Sequence, residues 1–556
     1  LIDRLSGGLK SKSFVYEKEE NDKLNKEKKN LIYKASKGTE PSLVSDGLDT
    51  YLSNTSDLWT YMPNIKTTED LWQNFKAILE SHNPGALDNK KLSDSEFENV
   101  KREICKLSTP YEAGQFLFGM NGVCQIQFYL DTGKFVTLEV FNQDKIAGGN
   151  TVYQVVNQIE RPSKIPGKKD RRFDTTLLIN GLPIVQIEEK VAAIPADFAL
   201  NQMHQYIIEN QYSDIFSTVQ LLVAMTPVEC KYMANTTADK FNKDFSFYWK
   251  DKDNKPVNDW KKFSDALLTI PMAHQMSTNY MILDGTKNKE SLKVMRSYQV
   301  YATQEAIEKI RKTHFDMGDN KLGYIWHTTG SGKTITSFKT AWLANRLANV
   351  DKVVFVVDRI ALTKQTVDSY MAYDPNFETS ELEIYGSISD TKNTGALKKQ
   401  LEKKGGGIII TSVQKLQTLV KRKSFKAPNK NILFIVDEAH RSTGGEGFDM
   451  VQKAFPKGAW LGYTGTPMFD KTTKGLRTED IFGKLLHAYT IRDAIADKNV
   501  LGFKVDFQTT IDETEMKEKY LPSFYANRYP DWQDWQIKNK IDNMTIEDMD
   551  DEIEPS

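Results

Sequence analysis

The chain has 556 residues, which at about 150 per domain implies three or four domains. It carries 74 Lys and Arg against 75 Asp and Glu, a net charge of −1, so it is not a uniformly basic, histone-like protein. A local basic face would still suffice to bind nucleic acid. Hydrophobic residues make up 39% and aromatics 11%, ample for packed cores. Three scattered cysteines, Cys105, Cys124 and Cys230, argue against a disulfide scaffold or zinc cluster and suggest a reducing cytosol. No apolar run approaches the roughly 18–20 residues a membrane span needs. With no initiator Met and no signal-peptide pattern, Leu1 is expected to mark a trimmed start.

In chain order, Glu17 to Lys29 is a mixed-charge run that reads as a solvated helix or flexible segment. Phe128 to Phe141 reads as a hairpin turning at Asp131–Lys134. A basic stretch follows: Arg161, Lys164, Lys168, Lys169, Arg171 and Arg172, against one acid, Asp170. Two short apolar runs then flank Asn180-Gly181, a strong hairpin signal. The segment after Pro195 is helix-like. Residues 232–292 show no clear period, and a domain junction is expected near 260–295. From Arg296 apolar strand runs alternate with helix-like segments: Gly323–Trp326, Val353–Val357, Ile408–Ile410, Ile432–Val436 and Trp460–Tyr463. That rhythm predicts an α/β fold of parallel strands with crossover helices. The last eighty residues are less regular and end in an acidic run, Glu547 to Glu554.

Two constellations carry chemistry. The first, Trp326 to Ser337, follows an apolar strand and precedes a helix, as a phosphate loop requires. Gly330 and Gly332 let the backbone curl so that N–H groups of Thr329 to Gly332, Ser331 included, can face a phosphate. Lys333 would reach the β- and γ-phosphates of ATP, and the Thr334 hydroxyl would hold Mg2+. His327 stands where the full motif has its first Gly. A second apolar strand delivers Asp437 and Glu438 at its C-terminal end. Asp437 suits the Mg2+ shell, and Glu438 could orient the attacking water.

The second constellation is Asp174 with Glu188-x-Lys190 on the Asn180-Gly181 hairpin. Two carboxylates can hold a divalent cation, and a neighbouring Lys can position water or stabilise charge on a phosphate. Alternation places Glu188 and Lys190 on one face. A strict two-residue turn would put Asp174 and Glu188 on opposite faces; a three-residue loop or one bulge would bring them together. Gln202 and Tyr206, four apart on the next helix, share a face.

The phosphate loop with "VDEAH" resembles superfamily 2 helicases and translocases. "RSYQVYA" resembles their adenine-reading motif through Arg296, Tyr298 and Gln299, and Thr464 to Pro467 resembles motif III. Asp174, Glu188, Lys190, Gln202 and Tyr206 together resemble the PD-(D/E)xK nuclease core of RecB-like enzymes, with Phe173 in place of the Pro. In this order the two resemble the restriction (motor) subunit of type I restriction–modification enzymes, over residues 100 to 510.

The resemblance implies a mixed-sheet endonuclease domain at 1–262 with its core at 120–230, a junction at 263–295, and a first RecA-like domain at 296–510. Residues 511–556 would begin the connection to a second RecA-like domain. Only Arg477, Arg492 and Arg528 follow Asp470, none in a GRxxR-like context, so that second domain is expected to be missing or incomplete, and this piece to hydrolyse ATP poorly. The resemblance further implies ATP and Mg2+ as cofactors and a bacterial or archaeal cytoplasmic location, with no membrane. It also implies double-stranded DNA, a methyltransferase subunit and a specificity subunit as partners. Lys240 and Lys243 are candidate contacts between nuclease and motor. Two other readings stay open: a stand-alone nuclease–helicase in DNA repair or phage defence, and a nucleotide-binding scaffold with an inactive nuclease fold.

Overall fold

The computed structural model describes residues 47–56, 58–318, 320–357, 360–375, 388–391, 393–437, 446–469, 477–500, 514 and 516–544. The charged run at 17–29, the acidic end at 547–554 and Glu438 lie outside them. The chain forms two compact units, residues 1–499 and 500–556.

The larger unit contains two main sheets. The first uses β1 (Trp59–Tyr61), β4 (Tyr153–Arg161), β5 (Arg171–Ile179), β6 (Leu182–Glu189), β7 (Leu221–Thr226) and β8 (Glu229–Ala234), side by side in that order. β1–β4 and β6–β7 are parallel and the other neighbours antiparallel, so the sheet is mixed. The expected hairpin at Asp131–Lys134 joins β2 (Val123–Tyr129) to β3 (Phe135–Asn142), a separate two-stranded sheet.

β5 from Phe173 and the whole of β6 are buried, as strands covered on both faces must be. On one side lies α1 (Thr68–His82). Thr67 and Asp70 close its N-terminus with a capping box, and Leu71, Trp72, Phe75, Ile78 and Leu79 form its buried stripe. The β5–β6 turn presses on this helix: a Cβ at Gly181 would lie 2.9 Å from Phe75 Cα. Asn180 and Gly181 have φ of 53° and 80°, the two positive values a type I′ turn demands.

The strands of the second sheet are β11 (Asn320–His327), β12 (Lys352–Val357), β13 (Ile388–Asp390), β14 (Ile408–Ser412), β15 (Ile432–Val436), β16 (Gly458–Thr464) and β17 (Leu485–Tyr489). All are parallel, in the order β13-β14-β12-β15-β16-β11-β17. All five expected strands are present. β13 and β17 were not legible, because one is three residues long and the other is an edge strand buried only at Tyr489. Between the two sheets in sequence, β9 (Met281–Asp284) and β10 (Ser291–Val294) form a hairpin in the stretch expected as a junction.

The smaller unit packs helices Leu521–Arg528 and Asp534–Asp542 around Leu521, Tyr525, Ile537 and Ile541. Among the described residues no helix is long and apolar enough to cross a membrane.

Candidate active sites

The first site lies where β5 and β6 meet α2 (Asp197–Ile208). Pairing begins tightly, with Ile179 opposite Leu182 and Leu178 opposite Pro183. One extra residue, Ile184, then shifts the register, so that Leu177 faces Val185 and Thr175 faces Ile187. This bulge carries Asp174 opposite Glu188 on one face, the second of the two arrangements open from sequence.

Both carboxyls are buried, Glu188 at 0% exposure and Asp174 at 8%. Asp174 Oδ2 accepts from the Glu189 amide at 2.9 Å, and Lys190 Nζ lies 3.8 Å from the same oxygen. Lys190 Nζ also donates to the Glu189 carbonyl at 2.6 Å. From α2, Gln202 Nε2 donates to Glu188 Oε2 at 2.8 Å and Tyr206 OH reaches it at 3.4 Å. Gln186 Nε2 reaches the other oxygen at 3.2 Å. Burial, and then the charge of Asp174, push the Glu188 carboxyl well above the ordinary carboxylate range. The structure therefore brings Asp174, Glu188, Lys190, Gln202 and Tyr206 together. Phe173, in the place of the Pro, packs its ring 4.9 Å from that of Tyr206 and supports it.

Tyr212 belongs to this cluster and was missed. It lies past the end of α2, outside any helical spacing. Its ring is 5.5 Å from Phe173 and 6.3 Å from Tyr206. Its hydroxyl is buried without a hydrogen-bond partner among the described residues, and burial and Glu188 raise its pKa well above the usual value. A buried hydroxyl without a partner costs about 1–3 kcal/mol. Tyr212→Phe is therefore expected to leave the melting temperature unchanged or higher. A marked fall in thermal unfolding would show that the hydroxyl is partnered.

Most of the basic run is ion-paired within the fold. Arg161 is 1% exposed and bonds Asp214 at 3.0 Å, and Lys164 meets the same acid at 3.0 Å. Glu209 takes Lys168 at 2.9 Å and Arg171 at 2.6 Å, and Arg171 chiefly holds its carboxyl down at about 2. Four of the six cations are thus ion-paired to two acids that lie 38 to 53 residues downstream.

The second site follows the C-terminal ends of β11, β15 and β16, which parallel strands bring to one edge. Gly330 and Gly332 have φ of 81° and 77°. The start of α3 (Ser297–Arg311) braces the loop: Tyr298 OH donates to the Ser331 carbonyl at 2.6 Å, and Gln299 Nε2 donates to it at 3.2 Å. Gln299 Oε1 in turn accepts from the Arg296 amide at 2.9 Å. The loop runs straight into α4 (Lys333–Ala344), whose N-cap is Gly332. A Cβ on Gly332 would lie 2.6 Å from Gln299 Nε2. Just past β16, a Cβ on Gly465 would lie 3.3 Å from Lys333 Nζ and 3.5 Å from Thr329 Oγ1. The structure thus gathers Arg296, Tyr298, Gln299, Thr329, Ser331, Lys333 and Gly465. Asp437 follows β15 at this edge, its amide bonded to the Val356 carbonyl at 2.9 Å. His327 is buried and hydrogen-bonded to His487 at 3.1 Å, which explains a side chain where the motif has Gly. Burial drives its pKa well below the ordinary value.

Among the described residues neither Lys240 nor Lys243 forms an ion pair or hydrogen bond with residues beyond Arg296. Lys240 Nζ donates to the Glu290 carbonyl at 2.7 Å, and Lys243 is exposed. Lys250 instead pairs with Asp497, which accepts from Tyr489 OH at 2.7 Å, and Lys252–Glu305 and Asp144–Arg346 span the same two stretches. Tyr489 stacks on Tyr298 with ring centroids 3.6 Å apart. Among the described residues no group of three or more His, Cys, Asp or Glu could hold a metal ion. His204 stacks on Phe241 at 4.2 Å, a packing role.

A glycine loop at the end of a parallel sheet, and a buried carboxylate pair on a second sheet, give the protein two candidate active centres. Residues 298–538 match the SWI2/SNF2 ATPase family, and residues 49–241 match the type I restriction enzyme R protein N terminus. The endonuclease subunit of the type I restriction enzyme SsaAORF53P of Staphylococcus saprophyticus is 33% identical over 80% of this chain and 45% of its own. A C-terminal part of the MpnIIP endonuclease subunit of Mycoplasma pneumoniae is 34% identical over 36% of this chain and 95% of its own. A solved nuclease-deletion mutant of the type ISP enzyme LlaGI, with a DNA substrate mimic, is 19% identical over 42% of this chain and 23% of its own, with a TM-score of 0.28. The chain belongs to the family of type I restriction enzyme endonuclease subunits, and it spans about half the length (45%) of the first of these relatives.

Proposed function

We propose that the chain is the N-terminal portion of an ATP-dependent endonuclease and double-stranded DNA translocase subunit of a type I restriction–modification complex. Its nuclease lobe has the PD-(D/E)xK form. The observation that carries this reading is the single-residue bulge at Ile184, which seats Asp174 against Glu188 beneath Gln202 and Tyr206.

In the nuclease lobe Asp174 and Glu188 would hold Mg2+. What supports this is the chemistry of the donors: two hard carboxylates face each other, one without solvent exposure. Bound there, the cation would supply Lewis-acid polarisation and an activated water. Lys190 stabilises charge on the phosphate, and Gln202 and Tyr206 hold Glu188 in place. In the motor, the amides of Thr329, Gly330 and Gly332, and that of Ser331 once it leaves the Thr328 carbonyl 3.3 Å away, would cradle the phosphates of ATP. Lys333 would reach the β- and γ-phosphates, Thr334 and Asp437 would hold Mg2+, and Glu438 would orient the attacking water. Arg296, Tyr298 and Gln299 would face the adenine. The partners are methyltransferase and specificity subunits that read the target, in a bacterial or archaeal cytoplasm.

The test is plasmid cutting by the full-length subunit, alone and with those partners, with and without ATP. Cutting that requires both ATP and the partners supports the reading. Cutting without partners would favour a stand-alone nuclease–helicase, and no cutting at all would favour the scaffold.

A further inference from the structure

Of the six cations in the run from Arg161 to Arg172, four are held by Asp214 and Glu209. The other two, Lys169 and Arg172, are exposed and form no ion pair or hydrogen bond among the described residues. Their positions differ in a way that matters. Arg172 stands two residues before Asp174 on β5, so alternation puts both on one face of the strand. Two residues of strand cover about 6.6 Å, so an arginine there reaches one phosphate along from a phosphate seated at Asp174. Lys169 lies in the loop that leads into β5 and extends the positive charge outward.

We propose that Arg172 is a positioning residue for the substrate strand, binding the backbone phosphate next to the one at Asp174 and Glu188, with Lys169 as a second contact. The ligand class is a polynucleotide phosphate backbone. The inference rests on the nuclease reading above. The run divides its labour: the ion-paired Arg161, Lys164, Lys168 and Arg171 shape the lobe, and Lys169 and Arg172 meet the strand. Guanidinium suits this task, because its planar fork of donors matches phosphate oxygens. Glu160 stands opposite Arg172 in the β4–β5 register and is also exposed, a nearby acid that weakens the contact.

The test uses the full-length subunit assembled with its partners and a plasmid substrate. Cutting rate, its salt dependence, ATP hydrolysis and thermal unfolding are measured for each variant. Arg172→Ala is expected to slow cutting about tenfold or more, the scale of a lost hydrogen bond to a charged group. The slope of log rate against log salt should become shallower by about one, as for a lost phosphate contact. Adding Lys169→Ala should deepen both effects. ATP hydrolysis and the melting temperature should not change, because both side chains are exposed. Arg172→Lys, which keeps the charge and loses the fork of donors, should retain the salt slope and cut at a rate between wild type and Arg172→Ala, and Glu160→Gln should speed cutting. Asp174→Ala runs alongside. If it abolishes cutting while the Arg172 and Lys169 variants cut as wild type with unchanged salt dependence, the inference is overturned and the nuclease reading stands. If Asp174→Ala cuts normally, both fall.

Discussion

Asp174→Asn is expected to abolish DNA cutting by the assembled complex while leaving ATP hydrolysis intact. The exchange keeps the shape of the side chain and an oxygen for the Glu189 amide, now 2.9 Å away. It removes one of two carboxylates from a buried pair, and with it several kcal/mol of cation-based stabilisation, so a rate loss of about a thousandfold or more is expected. The fold should not suffer. Glu188 sits beside Asp174 at 0% exposure, and burial together with that neighbour raises its folded pKa well above the ordinary value. A carboxyl with a raised folded pKa costs stability once pH exceeds its unfolded pKa of about 4.3, and the cost grows until pH passes the folded value. Removing the Asp174 charge relieves part of it. The metal-free Asp174→Asn protein should therefore melt at or above the wild-type temperature at neutral pH. Cutting at the wild-type rate would refute the assignment; a collapse of the melting temperature would make the pair structural.

Lys333→Ala should cost both activities at once. Lys333 opens α4 directly after the Gly330 and Gly332 turn, with Gly465 close by. No other described lysine occupies that loop. Losing a preorganised cation from a phosphate site costs about a hundred- to a thousandfold in rate. ATP hydrolysis by the assembled complex should fall by that amount, and cutting that depends on translocation should fall with it. The contrast with Asp174→Asn is the informative part, since one variant loses cutting alone and the other loses both activities. Phosphate release at the wild-type rate from Lys333→Ala would remove the motor assignment.

Features that act over a few residues are written openly in this chain. Apolar runs of strand length predict β11, β12, β14, β15 and β16, because strands buried on both faces need nearly continuous apolar sequence. The glycine turn before α4 was legible because Gly330, Gly332 and Lys333 fall within one short stretch between a strand and a helix. Asn180-Gly181 announced its turn because few residues tolerate two successive positive φ angles. Gln202 and Tyr206 announced a shared helical face through their spacing.

Other features exist only once distant segments have packed. Whether Asp174 meets Glu188 depended on one bulged residue, which the alternating pattern does not encode, because a slip of one flips every side chain. In the sequence the run of six cations has only Asp170 as a nearby acid, and the partners of four of them, Glu209 and Asp214, are brought in from beyond α2. Lys250 and Asp497, 247 residues apart, meet for the same reason. Turn and strand preferences act between near neighbours, whereas ion pairing and register depend on which distant segments the folded core brings within a few ångströms of each other.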